Sequence, residues 1–395
     1  MTGVIAVLRD GRWLSADRIQ RLAVAAILGT AAFLLFLALT ARGANDYSGR
    51  PLGTDFSSFY AAGRLLGVGA NPYDPTALHG MQRAIFGTAT PYYAFAYPPF
   101  FLLLAWPLAQ LPYLLALVVW QLSSFALYLW AMMRLKRRFA PAIPDRLFYL
   151  GAAGFTAAFV NVTQGQNGFL TAALFAAAIA SLGLRPWVAG LCFGLAAYKP
   201  QLGLLVPFAL AAGGHWRSFA AAALTVFALA IASTLMFGAL IWPEFFAGAG
   251  QARQAILEAN GVGYDKMVSV FAWLRLWRLP VPAAYVGQGI ATILVILLTL
   301  RLWRSGDVRL QGAALCLGAV LATPFVLDYD LMILAPAILL LAGYEMEKGQ
   351  SPFGATLLFT LCLAPLFARS VAHMTLLPLA NWAVLSGFLA IVRRA

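Results

Sequence analysis

A carboxylate set among polar and aromatic residues can act as a base, and Asp55 is the clearest such group in this sequence. It stands in Thr54-Asp55-Phe56-Ser57-Ser58-Phe59-Tyr60, directly after the first long apolar run. Asn71-Pro72-Tyr73-Asp74 and Phe95-Ala96-Tyr97-Pro98-Pro99 follow in the same turn-rich stretch. A carboxylate here could take the proton of an incoming hydroxyl. It could also cap a helix over Ser57–Leu66, an ordinary duty for a loop Asp.

Further polar groups interrupt the apolar chain: Thr163-Gln164-Gly165-Gln166-Asn167, Lys199-Pro200-Gln201, Asp265-Lys266 and Asp328-Tyr329-Asp330. Each has a purely structural alternative. Gly165 and Gly168 suit a turn between hairpinned helices, Lys199 could snorkel from a helix end, and Asp328 and Asp330 could cap the helix that follows. Lys199 fits its alternative least well. Its flanking apolar segments are too short for two ordinary spans, and a lysine at a broken helix within membrane depth is costly unless paired or facing water. An anionic partner such as a lipid-borne phosphate would resolve that cost.

The elements that must position these groups are membrane helices. Of 395 residues, 62% are hydrophobic and 10% charged, with mean hydropathy +0.81. A soluble domain carries about 25% charged residues, so a water-facing surface of normal size cannot be built. The fold class expected is an all-α polytopic membrane protein. A net charge of +13 would suit nucleic acid, but the basic residues fall in short runs such as Arg134-Leu135-Lys136-Arg137-Arg138, as cytoplasmic loops require. No nucleic-acid partner is therefore expected. Cys192, Cys316 and Cys362 lie in apolar runs without metal-type spacing, and only His79, His215 and His373 could join them. Neither a metal nor another cofactor is expected.

Spans of about 20 residues divide the chain into about twelve crossings. The first covers Leu22–Thr40, behind Arg9, Arg12, Arg18 and Arg21, and reads as a signal anchor rather than a cleaved signal. The others are placed at Tyr113–Met133, Leu147–Thr163, Phe169–Leu184, Trp187–Tyr198, Leu202–Ala212, Phe219–Leu240, Pro282–Leu300, Gly312–Phe325, Leu331–Tyr344, Ala355–Phe367 and Leu376–Ile391. Tyr97–Pro112 is read as a membrane-skimming helix, because its prolines end helices and the Arg134–Arg138 run then stays cytoplasmic. The single transmembrane domain, 1–395, thus has an extracytoplasmic loop at 41–112 and a second at 241–281, with both termini cytoplasmic. In the second, Trp242-Pro243-Glu244-Phe245-Phe246 and Phe271–Arg278 read as an interfacial, aromatic-basic element.

In these pieces the chain resembles glycosyltransferase family 87, a group of polyprenyl-phosphate-sugar-dependent enzymes. The matching segments run in order: Asp55 with Tyr60-Ala61-Ala62-Gly63, Asn71-Pro72-Tyr73, Phe95–Pro99, Gly165-Gln166-Asn167, Gly190–Pro207 around Lys199, and Ala322-Thr323-Pro324 leading to Asp328-Tyr329-Asp330. The resemblance implies a GT-C-type bundle with its catalytic Asp in the first outer loop. It implies inverting, metal-independent transfer of a hexose, usually mannose, from a polyprenyl-phosphate sugar to an acceptor hydroxyl. Asp55 would be the base, with Tyr97, Gln166 and Asn167 near donor or acceptor. One departure is plain: some members carry a histidine in the segment corresponding to Ala322–Asp330, where this chain offers Asp328 and Asp330.

The chemistry is consistent with those residues. As the glycosyl bond breaks, the leaving phosphate gathers charge that Lys199, with Arg64 or Arg275, would stabilise. The partners expected are a polyprenyl-phosphate hexose, a glycolipid or polysaccharide acceptor, and membrane lipid, at a bacterial inner membrane. A secondary transporter or lipid flippase is the alternative, using Lys199, Asp328 and Asp330 as a coupling set, although no convincing internal repeat supports it.

Overall fold

The structure, a computed structural model, describes residues 2–394. Helix makes up 75% of the chain, and no strand forms among the described residues, so the protein is all-α. Six helices are long and apolar enough to cross a bilayer: Ala16–Thr40, Tyr113–Phe139, Trp216–Phe237, Val281–Arg304, Asp328–Lys348 and Gly354–Thr375.

The other expected crossings are shorter apolar helices or broken ones, so about twelve spans are not matched helix for helix. Leu147–Thr163 is divided into Asp145–Ala153 and Thr156–Gln164 at Gly154-Phe155. Trp187–Ala212 is divided at Lys199, with Pro186–Leu195 and a 3-10 turn at Ala196–Tyr198 before it and Pro200–Gly203 and Val206–Ala212 after it. Pro99–Leu108 forms a helix of only roughly 15 Å. It ends before Pro112, which opens the Tyr113–Phe139 helix.

Burial separates a centre from a rim. The apolar stretch of Asp328–Lys348 is 78% buried, whereas that of Ala16–Thr40 is 6% buried. Leu28, Leu35 and Leu235 stand exposed on rim helices, as lipid-facing residues do. In lipid, helices associate by close packing of small residues. Gly190 and Gly194, one turn apart, lie against Ser218, Ala221 and Thr225 of Trp216–Phe237. A side chain at Gly190 would meet the Ser218 carbonyl at 2.3 Å, so only glycine permits this approach.

The bundle has two chemically distinct ends. The Tyr113–Phe139 helix, about 40 Å long, joins them. At its C-terminal end Arg138 donates to the carbonyls of Ala180 and Leu182. Nearby, Arg309 pairs with Asp307 and Glu347, and Arg394 with Glu345. The Phe353 amide donates to the Arg9 carbonyl at the same end, bringing the N-terminal helix there. At the opposite end, the Tyr113 hydroxyl donates to the Leu52 carbonyl, and the polar segments singled out above gather.

Candidate active site

The loop after the Ala16–Thr40 helix delivers Asp55 immediately before the helix Phe56–Gly67, yet its side chain makes no capping bond. Ser57 and Ser58 turn their hydroxyls onto the carbonyls of Thr54 and Asp55 instead. The cap role open to Asp55 in the sequence is therefore not taken up. Its carboxylate Oδ2 accepts a hydrogen bond from Gln166 Nε2 at 2.9 Å, and its backbone amide donates to the Gln164 carbonyl at 3.0 Å.

Gln166 reaches Asp55 because the polar turn presses against the first loop. Gly165 holds φ +67°, and a side chain there would meet Phe56 Cβ at 2.6 Å and Gly53 Cα at 3.1 Å. From the neighbouring helix, Trp120 donates to the Gly165 carbonyl and Gln121 to that of Gln166. The other end of the Gln166 amide, Oε1, accepts from the Tyr97 hydroxyl at 3.3 Å and from the Asn167 backbone at 3.1 Å. Two donors on Oε1 and an acceptor at Nε2 fix which way the amide points.

Tyr97 stacks on Phe101 with centroids 4.6 Å apart, and Phe101 stacks on Tyr198 at 5.3 Å. The Tyr198 hydroxyl donates to the Asn167 carbonyl. Burial, then the Asp330 and Asp55 carboxylates, push the Tyr97 hydroxyl well above the ordinary tyrosine range, so it stays a donor. Asn167 is fully buried; its amide lies beside the Tyr97 hydroxyl and works against that upward push, but neither amide atom meets full hydrogen-bond geometry with a partner among the described residues. Such orphaned groups are uncommon in native proteins and ask for an explanation.

Lys199 takes φ −119°, ψ 74°, since the following proline disfavours helical geometry. Its ammonium forms an ion pair with Asp330, and the two side chains are 3% and 2% exposed. The anionic partner expected of Lys199 is thus a residue of the chain itself. Asp330 also accepts from the Leu327 amide, fixing the 3-10 turn Asp328–Ile333, so its capping alternative is realised alongside the ion pair. Asp328 accepts from the next amide, Tyr329. The Lys199 ammonium lies 5.0 Å from the Tyr329 ring centroid and 6.0 Å from that of Tyr97.

One contributor was not singled out for a role in the sequence. Residues 266–268 pair with 326–328: Val268 donates to the Val326 carbonyl and Asp328 to the Lys266 carbonyl. This places Lys266 Nζ 2.7 Å from Gln164 Oε1 and 5.7 Å from the Tyr329 centroid. Its signal in the sequence was only a basic residue in a polar outer segment.

Asp55, Tyr97, Gln166 and Asn167 are therefore joined by hydrogen bonds at one end of the bundle, with the Lys199–Asp330 pair and Asp328 beside them across the Tyr97 and Tyr329 rings. Arg64 and Arg275 are not joined to them. Arg64 is exposed, with Nη1 3.5 Å from the Ala109 carbonyl. Arg275 donates to the Tyr264 hydroxyl and the Leu279 carbonyl. A cavity of about 430 Å³ opens apart from the cluster, between Asn71, Trp106, Phe237 and Glu244.

Such a bundle, with apolar rim helices and a polar cluster built around a loop carboxylate, is that of a multi-pass membrane protein with a candidate acid–base site. The family model for glycosyltransferase family 87 matches residues 95–327, more than half of the chain, and the protein belongs to that family. It is accordingly a glycosyltransferase, of EC class 2.4. No curated protein and no solved structure matches the chain. The family match takes in Tyr97, Gln166, Asn167, Lys199 and Lys266, while Asp55, Asp328 and Asp330 lie outside its limits.

Proposed function

We propose that the protein transfers a hexose, with mannose the first sugar to test, from a polyprenyl-phosphate carrier to an extracytoplasmic hydroxyl of a glycolipid or polysaccharide. The reaction inverts the sugar and is independent of metal. The acceptor oxygen forms a bond to the anomeric carbon while its proton passes to Asp55. The bond from that carbon to the phosphate oxygen breaks, and its electron pair leaves with polyprenyl phosphate.

The observation that carries this reading is the state of Asp55: a half-exposed carboxylate, free of capping duty, with Oδ2 held by one amide. Gln166 thereby orients the base and leaves Oδ1 for the acceptor hydroxyl. Asn167 would complete its amide on sugar hydroxyls, and Tyr97 would line the same side. Lys199 and Asp330 hold each other and the turn that carries Asp328. The excess of basic residues at the far end supports placing that end, with both termini, in the cytoplasm of a bacterial inner membrane.

A second reading, secondary transport or lipid flipping, draws on the ion pair buried at a broken helix. One comparison separates the two. Purified protein in vesicles receives labelled polyprenyl-phosphate-mannose, or labelled nucleotide-mannose, with a membrane-lipid acceptor extract. Transfer of label to a new product from the polyprenyl donor alone is the expected result. Label that crosses the bilayer without forming a product would replace this reading with transport.

A further inference from the structure

Building on the polyprenyl-phosphate donor reading, we infer that Lys266, rather than Lys199, is the cation that receives the donor phosphate. The other cations near the site are engaged elsewhere or stand off from it, and Arg50, exposed on the Asp55 loop near Tyr93, carries no ion pair or side-chain hydrogen bond among the described residues. Lys199 is closed into its ion pair with Asp330 and almost wholly buried. Arg369 Nε and His373 Nδ1 both face Asp265 Oδ2, at 3.8 and 3.5 Å. Arg275 is engaged by Tyr264 and Leu279, and Arg64 points at the Ala109 carbonyl.

Lys266 shares with Arg64 and Arg275 the lack of a carboxylate partner, but unlike them its ammonium lies against the cluster, at Gln164 and the Tyr329 ring. Among the described residues no carboxylate comes within ion-pair distance of its ammonium, whose one hydrogen-bond acceptor is the neutral Gln164 amide. Of the cluster's carboxylates, Asp328 lies within electrostatic reach of Lys266 but takes its hydrogen bond from the Tyr329 amide, and Asp55 takes its own from Gln166. The side chain is half-exposed and so open to a ligand. An ammonium has three donors, and Gln164 uses one.

Its place fits the chemistry. Gln164 touches both groups: its carbonyl accepts from the Asp55 amide and its side-chain oxygen from Lys266. A single residue thus separates the base from the Lys266 ammonium. A sugar held between them would present its acceptor side to Asp55 and its leaving phosphate to Lys266. The backbone pairing of 266–268 with 326–328 fixes the lysine's position.

The test uses full-length protein in nanodiscs and two probes, polyprenyl monophosphate and uncharged polyprenol of the same length. Wild type should bind the phosphate more tightly than the alcohol. Lys266→Met should weaken phosphate binding by about tenfold or more, as expected for a lost charge-assisted hydrogen bond, and leave polyprenol binding unchanged. Lys266→Arg should restore most of the preference, and Asp55→Asn should keep it. A thermal melt of each variant checks that it is folded. If wild type prefers the phosphate and folded Lys266→Met prefers it equally, the Lys266 assignment is overturned and the donor reading stands. If wild type shows no preference, the donor reading itself falls and takes the assignment with it. Equal loss of both probes in Lys266→Met would mean a structural lysine and would also overturn the assignment.

Discussion

Gln166 connects the residues that matter most, because one amide orients both Asp55 and Tyr97. Gln166→Leu removes the donor to the carboxylate and the acceptor for the tyrosine. Transfer should fall by about ten- to a hundredfold in kcat, part of the 10²–10⁴ that a positioned base supplies. Steady-state kinetics on folded protein checks this, and an unchanged kcat would remove Gln166 from the mechanism. Asn167 allows a second test. A buried amide without partners costs about 1–3 kcal/mol, so Asn167→Leu should hold or raise the melting temperature while raising KM for the donor. A lower melting temperature with unaltered KM would make Asn167 a structural residue. Asp55 stood out in the sequence because a carboxylate in a polar loop breaks an apolar pattern. Gln166 stood out as well, in a polar turn, but it lies 111 residues away and only the folded turn shows that the two meet.

At the scale of elements, the site rests on a tight turn, a broken helix and a 3-10 turn. Gly165→Ala would force a side chain into Phe56 at a positive φ, and strain of this kind costs about 1–3 kcal/mol. The variant should melt lower and lose transfer together, read by parallel melting and activity curves. Breaking the Lys199–Asp330 pair should cost more. Lys199→Met leaves Asp330 charged and buried, a change worth about 3–5 kcal/mol. The double variant Lys199→Met with Asp330→Leu should recover much of that stability, and no recovery would mean that the pair is not the source of the loss. The break itself was legible, because Pro200 and two short apolar flanks announce it. The helix over Ser57–Leu66 was legible too, and forms as Phe56–Gly67. What composition could not show is which charges meet. Lys199 and Asp330 stand 131 residues apart, Lys266 and Gln164 stand 102 apart, and their pairing depends on how the whole bundle packs. Helix breaks within apolar runs likewise made a count of crossings uncertain from hydropathy.

At the scale of the molecule, the account needs the two ends of the bundle on opposite sides of the membrane. Thr88 and Ser305 are exposed, Thr88 on the Asp55 side of the bundle in the segment between the first two long helices and Ser305 beside the far-end Asp307–Arg309 pair. In a background free of the native cysteines, Thr88→Cys should react with a membrane-impermeant maleimide from outside, and Ser305→Cys only after permeabilisation. The reverse pattern would put the site in the cytoplasm. The central claim is that Asp55 is the base of a glycosyl transfer, and it is tested most directly by comparing wild type with Asp55→Asn in vesicles supplied with labelled polyprenyl-phosphate-mannose and an acceptor extract. The account predicts a labelled product with wild type and none with the equally folded variant. Full transfer by Asp55→Asn would contradict it.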